Sequence, residues 1–135
     1  MIADYDKVHL FGLMVEDEYL QAGNKESVFE LDDIKAASVI CYDIRFPEWV
    51  RTLMSSGAKV LFVVAEWPKE RVEQWEILLR ARAVENQAFV VAVNRVGDGN
   101  FRPFFWAFSG DCTHWGKSFY KCQIIKREFL RLNLI

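Results

Sequence analysis

Cysteine is scarce in this sequence, and long apolar runs are missing. Only Cys41, Cys112 and Cys122 occur in 135 residues, an odd and scattered set. That excludes a disulfide framework and makes a reducing compartment, the cytoplasm, the expected location. The apolar runs are too short to span a bilayer. The opening Met1-Ile2-Ala3-Asp4 lacks the basic-then-apolar order of a secretory leader. A formal charge of −2 supplies no basic field, so neither nucleic acid nor an anionic membrane is an expected partner. There is no phosphate loop, no dinucleotide fingerprint and no Gly-x-Ser-x-Gly elbow. Cys112-Thr113-His114 offers two candidate ligands, far short of a zinc set. No metal or organic cofactor is expected, and there is no internal repeat or low-complexity linker.

What is present is core material. Hydrophobic residues make up 52% and charged residues 27%, a globular composition of about one domain's length. Tyr5 to Leu13 is partly alternating and reads as a strand running into a loop. Val28–Leu31 and Ile34–Cys41 read as strands about a turn at Asp32-Asp33. Pro47 suits a first helical turn, in a helix ending at Gly57. Lys59 to Ala65 is continuous and β-branched, the mark of a strand covered on both faces. Pro68 opens a helical segment to Asn86 with Val72, Trp75, Leu79 and Ala83 in register. Phe89 to Val93 is a further strand, and Gly97-Asp98-Gly99-Asn100 a turn. Alternating strands and helices indicate a layered α/β fold. After Asn100 the character changes: five aromatics fall between Phe101 and Phe108, Asp111 to Trp115 fits neither period, and Lys121 to Ile135 is basic and suits helix or strand.

Cys41 ends an apolar strand, and by composition alone such a cysteine is most often buried structure. The position also suits a nucleophile. The strand fixes the sulfur, and the turn after it frees backbone N–H groups to face a substrate oxygen. A neighbouring cation would favour the thiolate, and a carboxylate could act as base.

The segment Ile40-Cys41-Tyr42-Asp43-Ile44-Arg45-Phe46-Pro47-Glu48 resembles the cysteine signature of the nitrilase superfamily of carbon–nitrogen hydrolases. Tyr5-Asp6-Lys7-Val8-His9-Leu10-Phe11 resembles its lysine segment. Trp75 to Asn86, and Val91-Ala92-Val93-Asn94-Arg95-Val96-Gly97, are also similar to family segments, in family order. Ala65-Glu66-Trp67-Pro68 is most similar to the bacterial ω-amidase-like branch. The resemblance implies a partial α-β-β-α sandwich and hydrolysis of a small amide to acid and ammonia through a cysteine thioester. It implies Cys41 as nucleophile, Lys7 and the Tyr42 N–H as oxyanion donors, and Glu16 as an orienting carboxylate, with Glu18 as the alternative. Glu66 and Trp67 are expected to line the substrate pocket. Arg82, Glu85 and Asn86 are expected to be structural, and His9 to pack or hydrogen-bond. Homo-oligomers are expected by resemblance.

The family's general-base glutamate lies on an early strand, whereas this sequence opens six residues ahead of Lys7. Truncation is therefore expected, with residues 1–100 a carbon–nitrogen hydrolase fragment and 101–135 a divergent tail. Codons for Arg102-Pro103-Phe104, shifted by one base, can read Gly-His-Ser, a family-like triplet, so a frameshift would explain the tail. The competing expectation is a catalytically dead remnant or a non-catalytic packing module. An apolar sheet face left without its covering strands would favour association.

Overall fold

The computed structural model describes residues 3–95 and, beyond them, the backbone of strands at 107–110 and 118–122. Irregular backbone leads to a 3₁₀ turn at Gly12–Met14 and a single helical turn, α1 (Glu16–Tyr19). β1 (Val28–Leu31) and β2 (Ile34–Ile40) form an antiparallel hairpin. Its turn residues Asp32 and Asp33 both take positive φ, 47° and 64°. Aspartate tolerates that region, and a two-residue hairpin turn of this hand matches the twist of the strands.

From β2 the chain passes through a 3₁₀ segment, Cys41–Arg45, into α2 (Pro47–Ser55). Pro47 occupies the first helical turn, and Gly57 at φ 98° releases the chain afterwards. β3 (Val60–Ala65), a 3₁₀ turn at Lys69–Arg71, α3 (Val72–Asn86) and β4 (Phe89–Asn94) follow. β5 (Ala107–Gly110) and β6 (Ser118–Cys122) extend the sheet. The six strands lie in sequence order. β2, β3 and β4 are parallel, and the outer pairs are antiparallel.

The core is the layer between one sheet face and α2 and α3. Val50, Leu53, Trp75 and Leu79 from the helices meet Ala37, Val39, Leu61, Val63, Val90 and Ala92 from the strands. Each fully buried Leu or Val here contributes roughly 1.5–3 kcal/mol.

Three expectations change. Tyr5 to Leu13 is not a strand, because its donors go to side chains: His9 N–H to Asp43 and Phe11 N–H to Glu16. The second long helix begins at Val72, a 3₁₀ turn intervening after Pro68. β3 is covered on one face only. Leu61 and Val63 are buried, but Val64 is 52% exposed and its face-mate Phe89 on β4 is 40% exposed. The turn at Gly97-Asp98-Gly99-Asn100, the change at residue 100, the Cys112/His114 pair and the segment after Cys122 lie outside the described residues.

Candidate active site

Parallel register decides what meets at the sheet's C-terminal edge. Ile40 pairs with Val64, and Ala65 pairs with Asn94. Cys41, Glu66 and Trp67 therefore emerge side by side just past the ends of β2 and β3, where α/β proteins gather their sites. Cys41 has φ 48°, in the left-handed region, so the chain turns sharply at the sulfur. Its thiol is half-buried and reduced. Burial pushes the thiol's pKa above the usual 9.0, with the Glu16 and Asp43 charges adding to the rise. A hydrogen bond from the Glu66 backbone N–H and the charge of Lys7 act the other way.

Lys7 is 8% exposed, and its Nζ lies 2.5 Å from Glu16 Oε2. Glu16 follows Val15, a β-branched residue at φ 57°, and also accepts the Phe11 N–H at 2.8 Å. Glu18 is exposed, so the geometry selects Glu16 as the partner of Lys7. Gly23 closes this loop: its N–H donates to the Lys7 carbonyl at 2.9 Å. A β-carbon on Gly23 would lie 2.4 Å from the Asp6 carbonyl oxygen.

A shallow pocket, open to solvent, adjoins the thiol. Phe11, Met14, Tyr42, Trp67 and Pro68 give it an apolar wall, and Arg45, Glu66 and Arg71 its charge. The Tyr42 ring lies between Phe11 and Phe46. Trp67 is 7% exposed, not a surface turn. Asn94 Oδ1 accepts its N–H at 2.7 Å, and Asn94 Nδ2 donates to its carbonyl at 2.9 Å. Glu66 is neutralised by Arg95 at 2.7 Å. The Arg45 guanidinium sits 5.0 Å from the Trp67 ring centre and donates to a neutral amide, Gln74 Oε1, at 2.9 Å. Among the described residues neither Arg45 nor Arg71 is in an ion pair, so the pocket carries a cationic excess.

Below the site, Arg82 is buried and donates from Nε to the Ile44 carbonyl at 2.9 Å, while pairing with Glu85 at 2.9 Å. Asn86 donates to the Arg82 carbonyl. All three are tied to one another, and Arg82 to the turn after Cys41, by these bonds. His9 stacks on Phe46 and contacts Asp43. Asp43, Arg45, Arg71 and Asn94 carried no expectation of their own. The available signal for Asp43 was its place, an acidic residue between apolar neighbours two positions after the cysteine. Among the described residues there is no group of three or more His, Cys, Asp or Glu able to hold a metal. No described helix is long and apolar enough to cross a membrane.

The family model for carbon-nitrogen hydrolase matches residues 1–120. The chain belongs to that family. This carbon–nitrogen hydrolase chain is 55% identical over 104 residues to a 2-oxoglutaramate amidase of Bacillus subtilis, covering 77% of this chain and 40% of the relative. It is 44% identical over 97 residues to the omega-amidase YafV of Escherichia coli, covering 71% and 37%. A crystal structure of a CN-hydrolase superfamily protein from Xanthomonas campestris, with an arsenic adduct in its active site, matches at a TM-score of 0.82 and 34% identity. That match covers 91% of this chain and 49% of the other. The carbon–nitrogen hydrolase chain thus spans about 40% of the length of the curated relatives it matches first. Its mixed α/β architecture is a nitrilase-superfamily fold.

Proposed function

We propose that this chain carries the nucleophile side of an amidase site that hydrolyses a small carboxylate-bearing amide. The observation that carries the reading is that the buried Lys7, paired with Glu16, lies close enough for both charges to act on the Cys41 thiol, which opens onto the pocket. Sulfur attacks the amide carbon, and the C=O electron pair moves onto oxygen. The Lys7 ammonium and the Tyr42 N–H, near the start of a helical segment and without an intrahelical partner, receive that charge. Collapse breaks the C–N bond, and the nitrogen leaves as ammonia with a proton. Water then cleaves the thioester, giving the acid and the free thiol.

Two proton transfers need a base. Among the described residues the carboxylates near the thiol are committed: Glu16 to Lys7, Asp43 to three donors and Glu66 to Arg95. The reading therefore requires a carboxylate from outside the described residues. The cationic excess of Arg45 and Arg71 supports an anionic tail on the substrate. Glu66 does not oppose one, being neutralised by Arg95. The names of the two relatives above, 2-oxoglutaramate amidase and omega-amidase, agree with such a substrate.

The exposed apolar sheet face around Val64 and Phe89 favours a second reading, a module that packs against a partner. Ammonia release separates the two. The enzymatic reading expects release from a dicarboxylic acid monoamide, less from a neutral amide of equal length, and none with Cys41→Ala. No Cys41-dependent release from any amide would overturn it and leave the packing module.

A further inference from the structure

Asp43 is fully buried, yet its carboxylate accepts three hydrogen bonds and lies within hydrogen-bond distance of a fourth nitrogen. Oδ1 receives the His9 N–H at 2.8 Å and contacts His9 Nδ1 at 2.9 Å. Oδ2 receives the Tyr5 hydroxyl at 2.9 Å and the Ile40 N–H at 3.0 Å. These donors come from two separate pieces of the site. Tyr5 and His9 flank Lys7 by two residues on either side, and Ile40 immediately precedes Cys41.

We propose that Asp43 is a positioning residue: one carboxylate that bolts the Lys7 segment to the turn bearing the nucleophile and so sets how strongly Lys7 acts on Cys41. Residues 5–11 belong to no sheet, so no ladder of hydrogen bonds places Lys7. The Gly23 N–H on the Lys7 carbonyl and the donors to Asp43 and Glu16 do so instead. The far side of the bolt is itself anchored. Trp49 Nε1, in α2, donates to the Tyr5 hydroxyl at 2.9 Å, and Phe46 stacks on His9 at 3.6 Å between ring centres. Burial first, and the Asp43 charge second, push the Tyr5 phenol well above its ordinary pKa, so it stays protonated and keeps donating. On the near side, the Ile40 N–H bond braces the turn at the point where Cys41 takes its left-handed conformation. The charged groups acting on the thiol are Lys7, Glu16 and Asp43. Loosening the bolt weakens the pull of Lys7, the cation that favours the thiolate.

The inference rests on the reading of Lys7 as a partner of Cys41, and its test does not require turnover. The rate of Cys41 alkylation by iodoacetamide is followed against pH in the full chain, with the labelled peptide identified by mass spectrometry. Tyr5→Phe removes one donor and keeps the ring, and circular dichroism checks that it folds. Tyr5→Phe is the deciding variant, because Asp43→Asn also removes a charge that itself raises the thiol's pKa and so pulls the profile the other way. The expected result is an upward shift of the Cys41 profile, with alkylation roughly three- to tenfold slower below the thiol pKa. In a Lys7→Gln background the same Tyr5→Phe change is expected to do nothing more, because its effect passes through Lys7. An unchanged profile in folded Tyr5→Phe would overturn the proposal and make Asp43 a purely structural acceptor. A shift that persists without Lys7 would overturn it too. If Lys7→Gln alone leaves the profile unmoved, the reading of Lys7 itself fails, which is a separate result from failure of the bolt.

Discussion

Asn94→Ala is the most direct probe of how β4 holds the pocket wall. The Asn94 side chain is 3% exposed and makes three bonds to backbone: the Trp67 N–H at 2.7 Å, the Trp67 carbonyl at 2.9 Å and the Arg95 N–H at 3.0 Å. Alanine removes all three and leaves both polar groups of the buried Trp67 peptide without those partners. A stranded buried donor or acceptor costs about 1–3 kcal/mol, so the loss should total roughly 2–4 kcal/mol. That is a large share of the ~5–15 kcal/mol that ordinarily holds a domain together. Urea unfolding followed by tryptophan fluorescence reads it directly. With a slope of ~1.5 kcal/mol per molar, the midpoint should fall by roughly 1.3–2.7 M at unchanged slope. Arg80→Ala, at a 49% exposed ion pair on α3, is the reference, and there the change should stay within about 0.5 kcal/mol. An Asn94→Ala midpoint no lower than that of Arg80→Ala would refute the reasoning.

Three further predictions follow from the same geometry. Arg82→Met keeps the apolar stem but strips the Ile44 carbonyl of its donor and leaves Glu85 unpaired, so Tm should fall by roughly 10 °C in calorimetry, and a drop under ~2 °C would show that Arg82 does not brace the turn. Gly23→Ala pushes a β-carbon against the Asp6 carbonyl, and should lower stability by about 1–3 kcal/mol in urea titration while displacing the Lys7 segment. Because burial raises the Cys41 pKa above 9.0, little thiolate exists at neutral pH. Its alkylation rate should therefore still be climbing at pH 9, and a plateau below that would show that Lys7 outweighs burial.

What could be read in advance was whatever local chemistry dictates. Pro47 and Gly57 bracket α2 because one suits a first turn and the other a left-handed exit. The hairpin turn is legible in Asp32-Asp33. The parallel strands follow from short β-branched runs set between helical segments. The position of Glu66 and Trp67 beside Cys41 follows from their place just past a parallel strand's end. The missed features all depend on distant partners. Tyr5 to Leu13 alternates like a strand, yet Asp43, 34 residues away from His9 in sequence, takes a donor a sheet would have used. β3 looks doubly buried because apolar composition reports the strand's chemistry, not which neighbours cover it. The cationic excess at the pocket arises only when the 3₁₀ segment bearing Arg45 and the turn bearing Arg71 fold to one side of Trp67. Periodicity carries no information about that meeting.

On the proposed reading of Cys41 as the nucleophile, its left-handed conformation is a cost that the fold bears for the sake of reactivity. A residue with a β-carbon held in the left-handed region sacrifices roughly 1–2 kcal/mol relative to an ordinary strand exit, and glycine would be relieved of nearly all of it. A glycine at position 41 should therefore make a tougher molecule with no sulfur, whereas an alanine keeps the strain and loses only the chemistry. Drift toward greater robustness and drift toward inertness share a single codon here. A lineage that stopped using this pocket would feel a pull, in stability alone, toward discarding the cysteine. If Cys41 is the nucleophile proposed above, position 41 is where durability and reactivity compete.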